Sequence, residues 1–112
     1  MNTAISYIEA NLDSEIDLNR AGKIVGCNAI QFRRVFSYMA NTTLAEYIRR
    51  RRLFRAAFDL QGSDAKVIDV ALRYGYDSPT SFTRVFSGLH GITPSEAKKD
   101  GTAFVSYPPI SF

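Results

Sequence analysis

Cysteine is almost missing from this chain. Cys27 is the single one, which excludes an internal disulfide and fits a reducing compartment. There is also one histidine, His90, so neither a His/Cys metal cluster nor a histidine-centred catalytic group can be assembled. No carboxylate pair, glycine-rich phosphate loop or metal-ligand spacing stands in the sequence, and an enzyme, a cofactor and a metal site are therefore not expected. No apolar run approaches the roughly 20 residues that span a bilayer. The N-terminus has no basic segment leading into an apolar one, so neither a secretory signal nor a membrane partner is expected, and a cytoplasmic place is. At a helix end, His90 is expected to be solvated or to face the helix dipole. Cys27, in a turn, reads as a small packing residue more readily than as a sensor.

What is present is a hydrophobic fraction of 46%, enough for a packed core in 112 residues. That length suits one domain, or two very small ones sharing a helix. The net charge is only +3, but it is unevenly placed. Residues 1–19 carry Glu9, Asp13, Glu15 and Asp17 and no base. Residues 20–55 carry nine bases against one acid, Glu46. Such a basic stretch on a near-neutral protein points to a polyanion, although charge alone leaves open a solvated helix face laced with i,i+4 ion pairs.

The chain also repeats itself. Phe32-Arg33-Arg34-Val35-Phe36-Ser37 returns fifty positions later as Phe82-Thr83-Arg84-Val85-Phe86-Ser87, and Thr43-Leu44-Ala45-Glu46 returns as Thr93-Pro94-Ser95-Glu96. An apolar stretch runs into a glycine before each copy, Gly26 and then Gly75. Before the turn the offset is 49 (Gly22 to Ala71), after it 50, so the second turn holds one extra residue. Small residues four before each turn glycine let two helices cross closely, as in a helix-turn-helix pair.

Periodicity and caps predict an all-α chain of seven helices: two helix-turn-helix subdomains joined by a long linker helix. The first helix covers about Thr3 to Leu12. Asp17 caps a second that reaches about Val25, and Asn28 caps a third that ends near Met39. Thr43 and Glu46 have capping-box spacing and start the fourth, which extends to about Leu60. The fifth covers about Lys66 to Tyr74. Ser78-Pro79 opens the sixth, which continues to about Leu89, and Thr93-Pro94 opens a short seventh. The subdomains are placed at 1–41 and 62–100, with the linker helix at 42–61 and an irregular tail at 101–112, where Pro108-Pro109 forbids a helix.

Helical spacing gives the third and sixth helices two faces. Phe32, Val35, Phe36 and Met39 are expected inside, as are Phe82, Val85, Phe86 and Leu89. Ile30, Gln31, Arg33, Arg34 and Ser37 face outward on one, and Thr80, Ser81, Thr83, Arg84 and Ser87 on the other. Neither outward face carries an acid, and both carry groups that hydrogen-bond base edges and phosphates in a major groove. Gln31 can read an adenine, and Ile30 can meet a thymine methyl or be partly buried. The base-contact candidates are Ile30, Gln31, Arg33, Arg34, Thr80, Ser81, Thr83 and Arg84. The phosphate-contact candidates are Asn28, Ser37, Arg49, Arg52, Lys66, Ser78 and Ser87. Arg49-Arg50-Arg51-Arg52 covers a whole helical turn, so these four cannot share a face. One or two of them are expected on phosphate and the others in structural pairs such as Glu46 with Arg49 or Arg50.

These residues resemble the AraC/XylS family of bacterial transcription regulators over roughly Ile5 to Lys99. The most specific part is Ile68-Asp69-Val70-Ala71-Leu72-Arg73-Tyr74-Gly75-Tyr76-Asp77-Ser78, then Phe82-Thr83-Arg84-Val85-Phe86, then Gly91-Ile92-Thr93-Pro94-Ser95. The resemblance implies recognition helices in successive major grooves of double-stranded promoter DNA, and activation through contact with RNA polymerase. It also implies phosphates at the cap amides near Asp17 and Lys66, although lysine departs from the Ser or Thr often found there. The end Tyr107-Pro108-Pro109-Ile110-Ser111-Phe112 resembles the start of a Rob-like or GyrI-like effector-binding domain, which implies a small-molecule effector acting through a domain outside this chain. The competing expectation is a helical protein-interaction module whose arginines meet an acidic partner.

Overall fold

A computed structural model describes residues 1–99 and 101–112. Asp100, the last residue of the second expected subdomain, lies outside the described residues. Among the described residues seven helices follow one another: α1 (Asn2–Ala10), α2 (Leu18–Ile24), α3 (Ala29–Ala40), α4 (Leu44–Leu60), α5 (Val67–Arg73), α6 (Pro79–His90) and α7 (Pro94–Ala97). No strand occurs among the described residues, so the fold is all-α as the periodicity predicts.

Local chemistry sets the ends of these helices. The Asp17 carboxylate accepts from the backbone N–H groups of Asn19 and Arg20 and starts α2. Asn28 and Gln31 form a reciprocal capping box on α3, and Thr93 and Glu96 form another on α7. Glu96 is fully exposed, and the backbone N–H and hydroxyl of Thr93 hold its carboxyl below the usual range. Ser78 caps α6 with Pro79 behind it. The Lys66 side chain makes no cap bond on α5, as its chemistry requires.

The chain forms two compact units. The first is Met1–Arg49 with Pro108–Phe112, and the second is Arg50–Tyr107. In the first, α1 packs on α2 and α2 on α3. Its core holds Ile5, Ile8, Leu12, Phe32, Phe36 and Tyr47, all at most 4% exposed. Two tail residues pack against this core from outside. Phe112 meets the Phe36 ring edge-on at 6.3 Å, and Ile110 N–H donates to the Tyr47 hydroxyl at 3.2 Å.

In the second unit α5 packs on α6 and α6 on α7. Leu53, Ala56, Ala57 and Leu60 of α4 join Val70, Ala71, Tyr74, Phe82, Phe86 and Ala97 in its core. The Asp59 carboxylate binds the Tyr74 hydroxyl and pairs with Arg73 at 3.1 Å. Burial and then that hydrogen bond push the Tyr74 phenol up to about 12.

Both units use the same turn. Cys27 N–H donates to the Gly22 carbonyl at 2.8 Å and Gly26 N–H to Lys23 at 3.1 Å. Tyr76 N–H donates to Ala71 at 2.9 Å and Gly75 N–H to Leu72 at 3.1 Å. This is the Schellman closure, which needs left-handed backbone at the glycine, and Gly26 and Gly75 have φ of 75° and 88°.

Three expectations are corrected. Val35 and Met39 are 39% and 43% exposed, not core, because only the i,i+4 pair Phe32 and Phe36 points straight into the interior of the unit. Their counterparts Val85 and Leu89 do pack partly against the second core. His90 closes the last turn of α6 but is not solvated. It is 7% exposed, because the tail folds over it and Phe104 meets its ring at 5.8 Å.

Candidate nucleic-acid interface

The two second helices of the helix-turn-helix pairs, α3 and α6, are each 12 residues long and contain no acid. Each is anchored by two phenylalanines at 0% exposure: Phe32 and Phe36 in α3, Phe82 and Phe86 in α6. With one face locked in the core, the opposite face is rigidly presented. A site on a packed helix holds its side chains more closely than a site on a loop.

On α3 the presented residues are Ile30, Gln31, Arg33 and Arg34, all exposed. Ile30 is 64% exposed, so it is not partly buried. Tyr38, not among the candidates expected from the sequence, is 91% exposed and continues the line of Ile30 and Arg34 at four-residue spacing. That spacing is itself the signal that could have found it. Ser37 is half-buried beside them.

The capping box changes what Gln31 and Asn28 can do. Gln31 Oε1 accepts from Asn28 N–H at 3.1 Å, and Asn28 Oδ1 accepts from Gln31 N–H at 2.8 Å. Both side-chain oxygens are thus held by the helix start, which leaves their NH2 groups as outward donors. A bidentate adenine contact through Gln31 would use its NH2 group and the second lone pair of the oxygen that the box already engages.

On α6, Thr80 and Arg84 are exposed and Ser81 and Thr83 half-buried. Pro79, Thr80, Thr83 and Arg84 lie together on an open, shallow surface. The Ser78 hydroxyl accepts from Ser81 N–H at 3.3 Å and so is engaged in its own helix start. The Ser87 Oγ is buried and has no hydrogen-bond partner among the described residues, which places it away from the presented surface.

The four arginines of α4 separate by environment. Arg49 donates through Nε and Nη2 to the Glu46 carboxylate at 3.0 and 2.8 Å. The Arg50 guanidinium lies over the Tyr107 ring, 5.6 Å from its centroid. Arg51 is 4% exposed, donates to the Tyr107 carbonyl and lies over Phe54. Arg52 is half-buried; burial pulls its pKa down, and the Tyr76 phenol opposes that shift. Arg51 is therefore a structural residue. Lys66, at the start of α5, is exposed.

Among the described residues, no helix is long and apolar enough to cross a membrane. No group of three or more His, Cys, Asp or Glu side chains among them is placed to hold a metal ion.

Known proteins share this arrangement. Residues 22–100 match the family described as "Helix-turn-helix domain". The chain is 38% identical over 98 residues to the HTH-type transcriptional activator AarP of Providencia stuartii, covering 88% of this chain and 73% of that protein. It superposes on an AraC-type transcriptional regulator from Chromobacterium violaceum with a TM-score of 0.77 at 27% identity, covering 87% of each chain. It also has the fold of the DNA-binding domain of AdpA, solved in complex with a target DNA, at a TM-score of 0.73 and 21% identity, covering 87% of both. With two capped, acid-free recognition helices on duplicated turns, the chain belongs to the AraC-type helix-turn-helix family of DNA-binding domains.

Proposed function

We propose that this chain is a sequence-specific reader of double-stranded promoter DNA and a transcription regulator, acting as an activator. One observation carries the reading. Two helices without a single acid each present arginine, hydroxyl, amide or apolar side chains opposite a phenylalanine-anchored face. An acid-free face suits a polyanion, and a fixed helix is what sequence reading in a major groove requires.

Each unit takes one major groove, α3 in one and α6 in the next. Ile30, Arg33 and Arg34, with the Gln31 amide as a donor, face the first set of base edges. Thr80, Ser81, Thr83 and Arg84 face the second. The α3 surface has two arginines and the α6 surface one, so α3 contributes more charge and α6 depends more on fit. Exposed Lys66 and the amide of Asn28 would meet phosphate, and Arg49 would do so from beside its Glu46 partner.

RNA polymerase is the second partner this reading requires, and the bacterial cytoplasm is its place. No catalytic step is assigned. The finer placement in a Rob-like, GyrI-like subgroup rests on the motif of residues 107–112. In that subgroup a small-molecule effector acts through a separate domain and not through these helices. The proposed subdomains are 1–41 and 62–100 about a linker helix at 42–61.

The test is selection from a random duplex pool, followed by titration of the winner against a scrambled duplex. Two short motifs about one helical turn apart, with at least roughly 10³-fold preference, are expected. One motif alone would mean that one helix reads bases while the other clamps phosphate. No enrichment at low salt would overturn the reading in favour of an acidic protein partner.

A further inference from the structure

The duplicated helices can be compared position by position. At an offset of fifty, Ile30, Arg34 and Tyr38 of α3 correspond to Thr80, Arg84 and Gly88 of α6. Three residues at i, i+4 and i+8 drift only about 80° around a helix and extend about 12 Å along it. They therefore form one line on the face opposite Phe32 and Phe36.

Tyr38 ends that line and is anomalous. At 91% it is the most exposed of the large apolar side chains. Among the described residues its hydroxyl makes no hydrogen bond and its ring stacks on nothing. Neither packing nor capping of the unit calls for an aromatic residue there. The equivalent position in α6 has gone the other way, to a glycine, and a Cβ added to Gly88 would meet nothing within 4 Å. Internal packing therefore accounts for neither residue, and what they have in common is their place at the far end of a DNA-facing line.

We propose that Tyr38 is a backbone contact of the first reading head, its phenol O–H donating to a phosphate oxygen at the wall of the groove that α3 occupies. This rests on the DNA-reading assignment of α3. In such docking the N-terminal residues of the recognition helix meet base edges. A side chain about 12 Å further along lies two helical turns beyond Ile30, on the part of α3 that leaves the floor of the groove for its wall. Phosphates, not bases, line that wall. A phenol is a good match, since it is neutral at pH 7 and donates a single hydrogen bond without displacing a counterion. Tyr38 thus fixes the depth and register of α3 and reads no base.

The experiment compares the full chain with Tyr38→Phe and Tyr38→Ala on the selected duplex and on a scrambled one, across a salt series. Tyr38→Phe removes only the hydroxyl, and because that group has no partner in the protein the melting temperature stays unchanged. The expected result is weaker binding of both duplexes by the same factor, about 3- to 10-fold for one lost hydrogen bond. The preference between duplexes and the slope of log K against log salt should stay as in the parent, and Tyr38→Ala should lose at least as much. Parental affinity of Tyr38→Phe on both duplexes would overturn the proposal. So would a loss confined to the selected duplex, which would make Tyr38 a base reader. Intact DNA binding with lower promoter activation would overturn it in favour of a protein contact. A parent chain that prefers no duplex is a separate result, and there the DNA-reading assignment fails and takes this one with it.

Discussion

His90 Nε2 lies 2.9 Å from the Leu53 carbonyl oxygen while its Nδ1 lies 3.0 Å from Val105 N. A backbone N–H can only donate and a carbonyl can only accept, so the ring is the neutral tautomer with its proton on Nε2. Protonating Nδ1 removes the acceptor that Val105 uses. Burial pulls the His90 pKa below the ordinary 6.5, and the Leu53 bond offsets part of that shift. The unfolded chain therefore binds a proton near pH 6.5 that the folded chain refuses until lower pH. The His90 contribution to stability is complete above about pH 6.5 and is lost as the pH falls towards the lowered value. Urea midpoints should decline between pH 7.5 and 5.5 in the parent and stay flatter in His90→Phe. Because His90 is the only histidine, parallel slopes in the two proteins would exclude it as the source.

Gly22 admits no side chain. An added Cβ would stand 2.6 Å from the Cys27 carbonyl oxygen and 2.9 Å from that of Asn28, both backbone atoms that cannot swing away. Gly22→Ala should cost the first unit about 1–3 kcal/mol, the usual penalty for overpacking. Its counterpart Ala71 tolerates a methyl group at 1% exposure in a turn that is one residue longer. Denaturant unfolding followed by circular dichroism measures the cost, and an unchanged midpoint would contradict the close crossing.

Gly88→Ala should do the reverse. Open space surrounds the position, so removing a helix-interior glycine stabilises by roughly 0.5–1 kcal/mol. If a phosphate approaches the bare backbone of α6 there, affinity for the selected duplex falls while the melting temperature rises. Equal affinity would show that DNA stays clear of residue 88.

Arg34→Ala and Arg84→Ala should each weaken specific binding by about 1–3 kcal/mol and relax selectivity at one base pair, leaving the melting temperature within error. Both side chains are exposed, so the fold does not depend on them. Titration of the selected duplex and of single-base variants checks this, and parental affinity would remove the residue from the reading face.

Phe36→Ala and Phe86→Ala should each destabilise their own unit by about 3–5 kcal/mol, since both rings are at 0% exposure. Proteolysis at fixed temperature should cut the unit that carries the substitution first. Resistance equal to the parent would contradict the inward assignment.

The seven helices, their caps and the duplicated turn were legible in the sequence because each depends on residues within about four positions. Asp17, Asn28, Ser78 and Thr93 bond N–H groups two or three residues away, and Phe32 and Phe36 share a face by period alone. The acid-free outward faces follow from the same period. What only the tertiary structure decided are the long-range pairings. Arg51 is drawn to the Tyr107 carbonyl 56 residues away and His90 to the Leu53 carbonyl 37 residues away. The tail, which has no period to read, supplies Phe104 to cover His90 and Phe112 to meet Phe36. Helical period could not tell Arg51 from Arg49, Arg50 and Arg52, because which arginine is buried depends on where a distant carbonyl comes to rest. Local propensity acts through the backbone's nearest neighbours, whereas burial is set by whichever segment returns to exclude the water.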